Sequence, residues 1–95
     1  MAKHIFKYAI NFPDEVGQVV EVLMPENFRI CDVNHQEDCI FLWAIVDTHA
    51  ELKPQKFIVY GTGWKIDDVS PGSQRFFLKT VHMPNELVFH VFMVD

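Results

Sequence analysis

Chemistry in this chain has few side chains to draw on. The most suggestive run is Tyr60-Gly61-Thr62-Gly63-Trp64-Lys65, which follows the apolar Phe57-Ile58-Val59. Glycines after a strand allow close backbone approach and positive φ, and a loop of that kind can cradle a phosphate. The known phosphate fingerprints ask for more: GxxxxGK[ST], or GxGxxG opening a helix. Here Lys65 leads into Ile66-Asp67-Asp68 with no third glycine. The same run also suits a tight turn or bulge. Arg75 and Lys65 offer charge for a small anion, and Tyr60, Trp64, Phe76 and Phe77 offer aromatic faces for a base, nucleoside or peptide. The candidate ligand-binding set is therefore Tyr60, Gly61, Thr62, Gly63, Trp64, Lys65 and Arg75. The competing reading is the edge of a core wrapped by a loop.

Other constellations are thinner. The histidines are His4, His35, His49, His82 and His90, none within HExxH, HxH or a Cys-rich cluster. Strands paired around Pro84-Asn85-Glu86 place His82 opposite Val88 and diagonal to His90, on one face. Two imidazoles there suit acid–base work, or simply a satisfied sheet. Asp67-Asp68 with Asp47 offer carboxylates for a hard cation but lack EF-hand spacing, so no metal is expected. Ser70 and Ser73 lie in a Pro-Gly loop rather than a GxSxG elbow. No catalytic residue and no cofactor is assigned.

Cys31 and Cys39 flank the polar run Asn34 to Asp38. If that run is a hairpin turn, the two face each other across paired strands. Without a signal peptide they read as free, buried thiols in a reducing compartment.

The elements that must hold these groups are strands. β-Branched and aromatic residues at period two recur throughout. Expected strands are Ile5–Ile10, Gln18–Met24, Phe28–Val33, Cys39–Val46, Lys56–Tyr60, Phe76–Met83 and Leu87–Val94. Turns fall at Asn11 to Glu15, Pro25 to Asn27, Asn34 to Asp38, Gly61 to Gly63 and Pro84 to Glu86, where Pro, Gly and Asn punctuate. Cys39–Val46 reads CIFLWAIV, apolar on both faces, and fits a central strand or a subunit interface. Asp47 to Gln55 is polar and leaves room for one helical turn at Thr48 to Leu52, capped by Asp47 or Thr48. VEVLMPE at 20–26 and TVHMPNE at 80–86 echo each other, as two related hairpins would. The long loop Trp64 to Gln74 is the natural place for a functional group. The fold class is mainly β: a compact antiparallel sheet or small sandwich of six to seven strands, with at most one short helix, in one domain spanning 1–95.

Composition narrows the partners. The 95 residues are 49% hydrophobic and 14% aromatic, which excludes intrinsic disorder and leaves aromatics enough for a dense core or a partner surface. A net charge of -5 argues against a polynucleotide track, which needs a concentrated basic surface. No apolar window is long enough for a membrane-spanning helix, so a cytoplasmic location is expected.

Lys7-Tyr8, Leu42 to Asp47, Phe57 to Gly63 and Val88 to Phe92 together resemble a family of small uncharacterised bacteriophage and prophage proteins. The resemblance follows a KY strand, a Met-Pro turn, a WA-V-D strand, an F-V-GTG strand and a terminal HVF, over nearly the whole chain. It implies viral origin and residence in host bacterial cytoplasm, and it carries no activity or site residue. The function expected is that of a non-enzymatic binding protein, acting as a homo-oligomer on a host protein or a small anionic ligand. The alternatives are a small enzyme acting on a phosphorylated small molecule, or a minor virion or assembly component.

Overall fold

The computed structural model describes residues 2–10, 18–66 and 74–95. Seven strands form two antiparallel sheets: β1 (Lys3–Ile10), β2 (Val20–Pro25), β3 (Arg29–Gln36), β4 (Cys39–Asp47), β5 (Leu52–Gly61), β6 (Arg75–His82) and β7 (Val88–Val94). One sheet has the order β1-β4-β3, the other β2-β5-β7-β6. The all-β class and the seven strands agree with the sequence pattern. Among the described residues there is no helix.

Alternation builds the core. In β4, Ile40, Leu42, Ala44 and Val46 are buried, while Phe41, Trp43 and Ile45 on the other face are half-buried. Residues 180° apart along a strand face opposite ways, so one face of the sheet is dry. Ile10 and Val33 join that face from β1 and β3. The second sheet presents Val22, Met24, Phe57, Val59, Val81, Phe89 and Val91 to the same cluster. The two dry faces pack into one core, as in a small sandwich. Truncating a residue such as Leu42, which has 0% exposure, costs about 2–5 kcal/mol. The CIFLWAIV segment is thus the central strand of its sheet.

Three expectations fail, each for a physical reason. The helical turn at Thr48 to Leu52 does not form. Ala50 N–H donates to Asp47 O at 3.0 Å and His49 N–H to Asp47 Oδ1 at 2.9 Å, which closes a tight turn, and Leu52 already belongs to β5. The two echoing segments are not related hairpins. TVHMPNE does join neighbours β6 and β7, but β2 and β3 lie in different sheets, and the Met24-Pro25 turn carries the chain from one to the other. The cysteines neither face each other nor are buried. Cys39 stands opposite Gln36, whereas Cys31 is the extra residue of a bulge between Ile30 and Asp32; both are free and exposed.

Hairpin chemistry follows the turn residues. Glu37 and Asp38 form a two-residue connection between Gln36 and Cys39, with Glu37 at φ 54°. The β6–β7 hairpin closes through Met83 N–H to Leu87 O at 2.8 Å and Glu86 N–H to Met83 O at 3.1 Å. It is the three-residue turn expected at Pro84 to Glu86. Glu86, at φ 70°, takes the left-handed position that glycine usually fills.

Candidate functional site

The turn at the end of β5 builds the site. Trp64 N–H donates to Gly61 O at 3.0 Å, closing Gly61-Thr62-Gly63-Trp64. Gly63 is at φ 88° and Thr62 is not in the left-handed region, so this is a type II turn with glycine where the turn needs it. Gly61 serves a different purpose. A Cβ there would lie 2.5 Å from Cε2 of Trp64, so the indole rests on the bare backbone. Gly61 pairs with Phe89, and the Trp64 ring meets the Phe89 ring edge-on at 5.9 Å. The glycine pair is thus a turn that seats an aromatic ring.

Beside that ring is a pocket of about 300 Å³, lined by Gly61, Thr62, Trp64, Glu86, Leu87, Val88 and Phe89. The volume lies at the small end of ligand pockets, which run about 300–1,000 Å³. The walls are largely apolar. Among the described residues that line it, Glu86 is the one carboxylate and none is Lys or Arg.

Thr62 connects the pocket to the outer face of the second sheet. Its N–H donates to Val88 O at 3.1 Å, which fixes the backbone. Its Oγ1 lies 2.7 Å from Nε2 of His90, and Nδ1 of His90 lies 3.0 Å from Oγ1 of Thr80. The Thr62 hydroxyl is also 3.4 Å from Val88 O. A neutral imidazole can be satisfied here in two ways. Either Nε2–H donates to Thr62 while Thr80 donates to Nδ1, or Nδ1–H donates to Thr80 while Thr62 donates to Nε2. An oxygen 2.7 Å from a ring nitrogen is also the spacing of a nucleophile and its base. The group orienting the ring is a hydroxyl rather than a carboxylate.

The candidate residues fall on two faces. Tyr60 and Gly61 are consecutive in β5 and point opposite ways. Tyr60, 2% exposed, faces outward, where Phe92 meets its ring edge-on at 5.8 Å and the Arg75 guanidinium sits 5.7 Å from its centroid. Phe77 extends this aromatic row, 5.5 Å from Phe92. Trp64 lies on the Gly61 side, and Lys65 beyond it is exposed. Phe76 is 44% exposed. Tyr60 and Trp64 therefore do not make one aromatic surface. His82 stands opposite Val88 and Thr80 opposite His90, the register expected of this hairpin. Asp67, Asp68, Ser70 and Ser73, with the rest of the long loop as far as 73 and the turn at 11–15, lie outside the described residues. Among the described residues, no three His, Cys, Asp or Glu side chains gather as a metal site would require. No helix among them is long and apolar enough to cross a membrane.

Sequence reasoning missed Glu86, Leu87, Val88 and Phe89 as pocket walls, and Thr80 as a partner of His90. The one available signal was the position of Pro84-Asn85-Glu86 as a turn at the same end of the sheet.

Fold and site together define a small two-sheet β protein with an aromatic pocket at one end of its second sheet. The chain belongs to the family described as Domain of unknown function (DUF7352), whose model matches residues 1–95. No curated protein and no solved structure matches it.

Proposed function

We propose that this is a non-enzymatic binding protein that acts as a homo-oligomer and holds a small, ring-bearing molecule in the Trp64 pocket. The observation that carries this reading is the indole seated on Gly61, with Phe89 edge-on behind it and about 300 Å³ of mostly apolar space beside it. A flat ring gains contact area and favourable edge or stacking geometry there. The lining bears on charge. Glu86 stands in the wall, and Arg75 spends its guanidinium on the Tyr60 ring at the other face. This supports a neutral or cationic ligand in the pocket over the small anion suggested by the glycine loop. The resemblance to bacteriophage proteins supports a viral origin and action in host bacterial cytoplasm, where a host protein is the other class of target.

Native mass spectrometry of protein purified from bacterial cells tests the reading. A defined oligomer that carries a discrete extra mass per pocket is expected, and that mass is lost in Gly61→Ala. A species of bare chain mass, unchanged by added ring compounds, overturns it.

The second reading, an enzyme acting on a phosphorylated small molecule, rests on the Thr62–His90 spacing of 2.7 Å. It requires release of p-nitrophenol from p-nitrophenyl phosphate that Thr62→Val abolishes. Turnover equal in wild type and variant removes it.

A further inference from the structure

Sheet edges carry unpaired backbone donors and acceptors, and proteins blunt them with prolines, bulges, short strands or charge. Among the described residues, three of the four edge strands do so. β2 is six residues long and ends on Pro25. β3 is bulged between Ile30 and Asp32, and β6 between Phe77 and Lys79. The fourth edge, β1, is different. Its eight residues pair with β4 in unbroken register from Lys3↔Asp47 to Ile10↔Ile40, with no proline and no bulge. Residues Lys3 to Lys7 are all exposed, including Ile5 at 63% and Phe6 at 43%. Lysine is itself an edge device, but Lys7 is drawn inward across the sheet. Its Nζ donates to Gln36 Oε1 at 2.9 Å and sits 4.7 Å from the Phe41 ring centroid.

We propose that β1 is the oligomer interface, pairing antiparallel with β1 of a second copy to make one six-stranded sheet. This deepens the homo-oligomer in the reading above and rests on it. The pleat restricts the register. Residues opposite each other in a sheet share a face, so a twofold axis through the sheet must pair odd with odd and even with even. Centring on Ile5 would set Lys3 opposite Lys7 of the other copy, and like charges directly opposite are unfavourable. Centring on Phe6 avoids this. Phe6 then faces its own copy, Ile5 faces Lys7, His4 faces Tyr8 and Lys3 faces Ala9. His4 and Phe6 already touch, with ring centroids 5.6 Å apart, so this register gathers their rings with Tyr8 from both copies on one face of the joined sheet. A second copy is the occupant that is complementary in both main chain and side chains.

Light scattering over a concentration series, with circular dichroism to verify folding, tests the interface. Wild type is expected to be a dimer or an even-numbered oligomer built on it. Phe6→Lys sets two charges on the axis and is expected to halve the mass. Ile5→Lys, facing Lys7, does the same, while Ile5→Glu retains the oligomer. In a Cys31→Ser/Cys39→Ser background, Phe6→Cys is expected to oxidise to a covalent dimer and Ile5→Cys is not. If either lysine variant fails to fold, the other and the cysteine pair decide. An oligomer unchanged by folded lysine variants overturns the β1 interface but leaves the homo-oligomer standing. A wild-type monomer at every concentration overturns both, and ring binding to that monomer would leave the pocket standing alone.

Discussion

Oγ1 of Thr62 lies 2.7 Å from Nε2 of His90, while the opposite ring nitrogen meets Oγ1 of Thr80 at 3.0 Å. The imidazole is held at both ends by hydroxyls from two other strands or their turns. Thr62→Val keeps the shape and removes one of those partners. It is expected to cost about 1 kcal/mol in urea unfolding. Thr80→Val costs a similar amount, and the double variant costs less than their sum by more than the roughly 0.3–0.5 kcal/mol scatter of independent sites, because both act through one ring.

Gly61 and Gly63 answer to different constraints, so their alanine variants should differ in kind. Gly61→Ala drives a methyl into the indole, 2.5 Å from Cε2. Trp64 must lift, and in a Trp43→Phe background its fluorescence is expected to move to longer wavelength. Gly63 has open space around its Cβ position but sits at φ 88°. Gly63→Ala costs about 1–2 kcal/mol in backbone strain and leaves the emission in place.

The strands were legible in the sequence because alternation and turn residues agree along most of the chain. The start of β5 was not. Leu52-Lys53-Pro54-Gln55 reads as a loop, since proline lacks a donor. Its tolerance here comes from register. β5 pairs with β2 through Leu52 to Phe57, but β7 joins only from Lys56 onward. Over Leu52 to Gln55 one side of β5 has no ladder among the described residues, and a proline at a locally unpaired edge breaks no sheet. The glycine run was legible as a turn and the aromatics as possible ligand contacts. That they divide between two faces follows from Tyr60 and Gly61 being neighbours in a strand, which only becomes decisive once the strand is known to run through Gly61. The Thr62–His90–Thr80 link joins β5, β6 and β7 across 28 and 10 residues of sequence, and no local pattern marks it.

Glu86 occupies a left-handed position, φ 70°, that suits glycine. Glu86→Gly relieves the strain while loosening the unfolded chain, and a net gain of about 0.5 kcal/mol is expected in thermal or urea unfolding. Glu86→Gln retains the strain and removes only the charge. It should leave stability within about 0.5 kcal/mol and weaken a cationic ring ligand such as benzylamine more than benzyl alcohol, by calorimetry.

Asp32 on β3 accepts from Lys79 on β6 at 2.6 Å, tying the two sheets at one margin. The hydrogen bond from Lys79 holds the Asp32 carboxyl below its ordinary value of 3.8. A depressed folded pKa means the stabilisation is present above the unfolded pKa and disappears as pH falls through the folded one. Both side chains are about half exposed (48% and 42%), so the contribution is under about 1 kcal/mol. Asp32→Asn should melt below wild type near about pH 6, where the carboxylate is fully ionised, and the two curves should converge in strong acid. High salt should narrow the gap at the higher pH.

The order β2-β5-β7-β6 sets a timetable for assembly. β7, last of the seven strands to leave the ribosome, is an interior strand that both β5 and β6 must flank. Until Val88–Val94 has emerged, β6 has no neighbour in its sheet, and β5 has only β2. The first sheet, by contrast, is complete once β4 has been made. A nascent chain would therefore expose the apolar side of a finished three-stranded sheet to solvent or to a chaperone, and burial would come late and all at once.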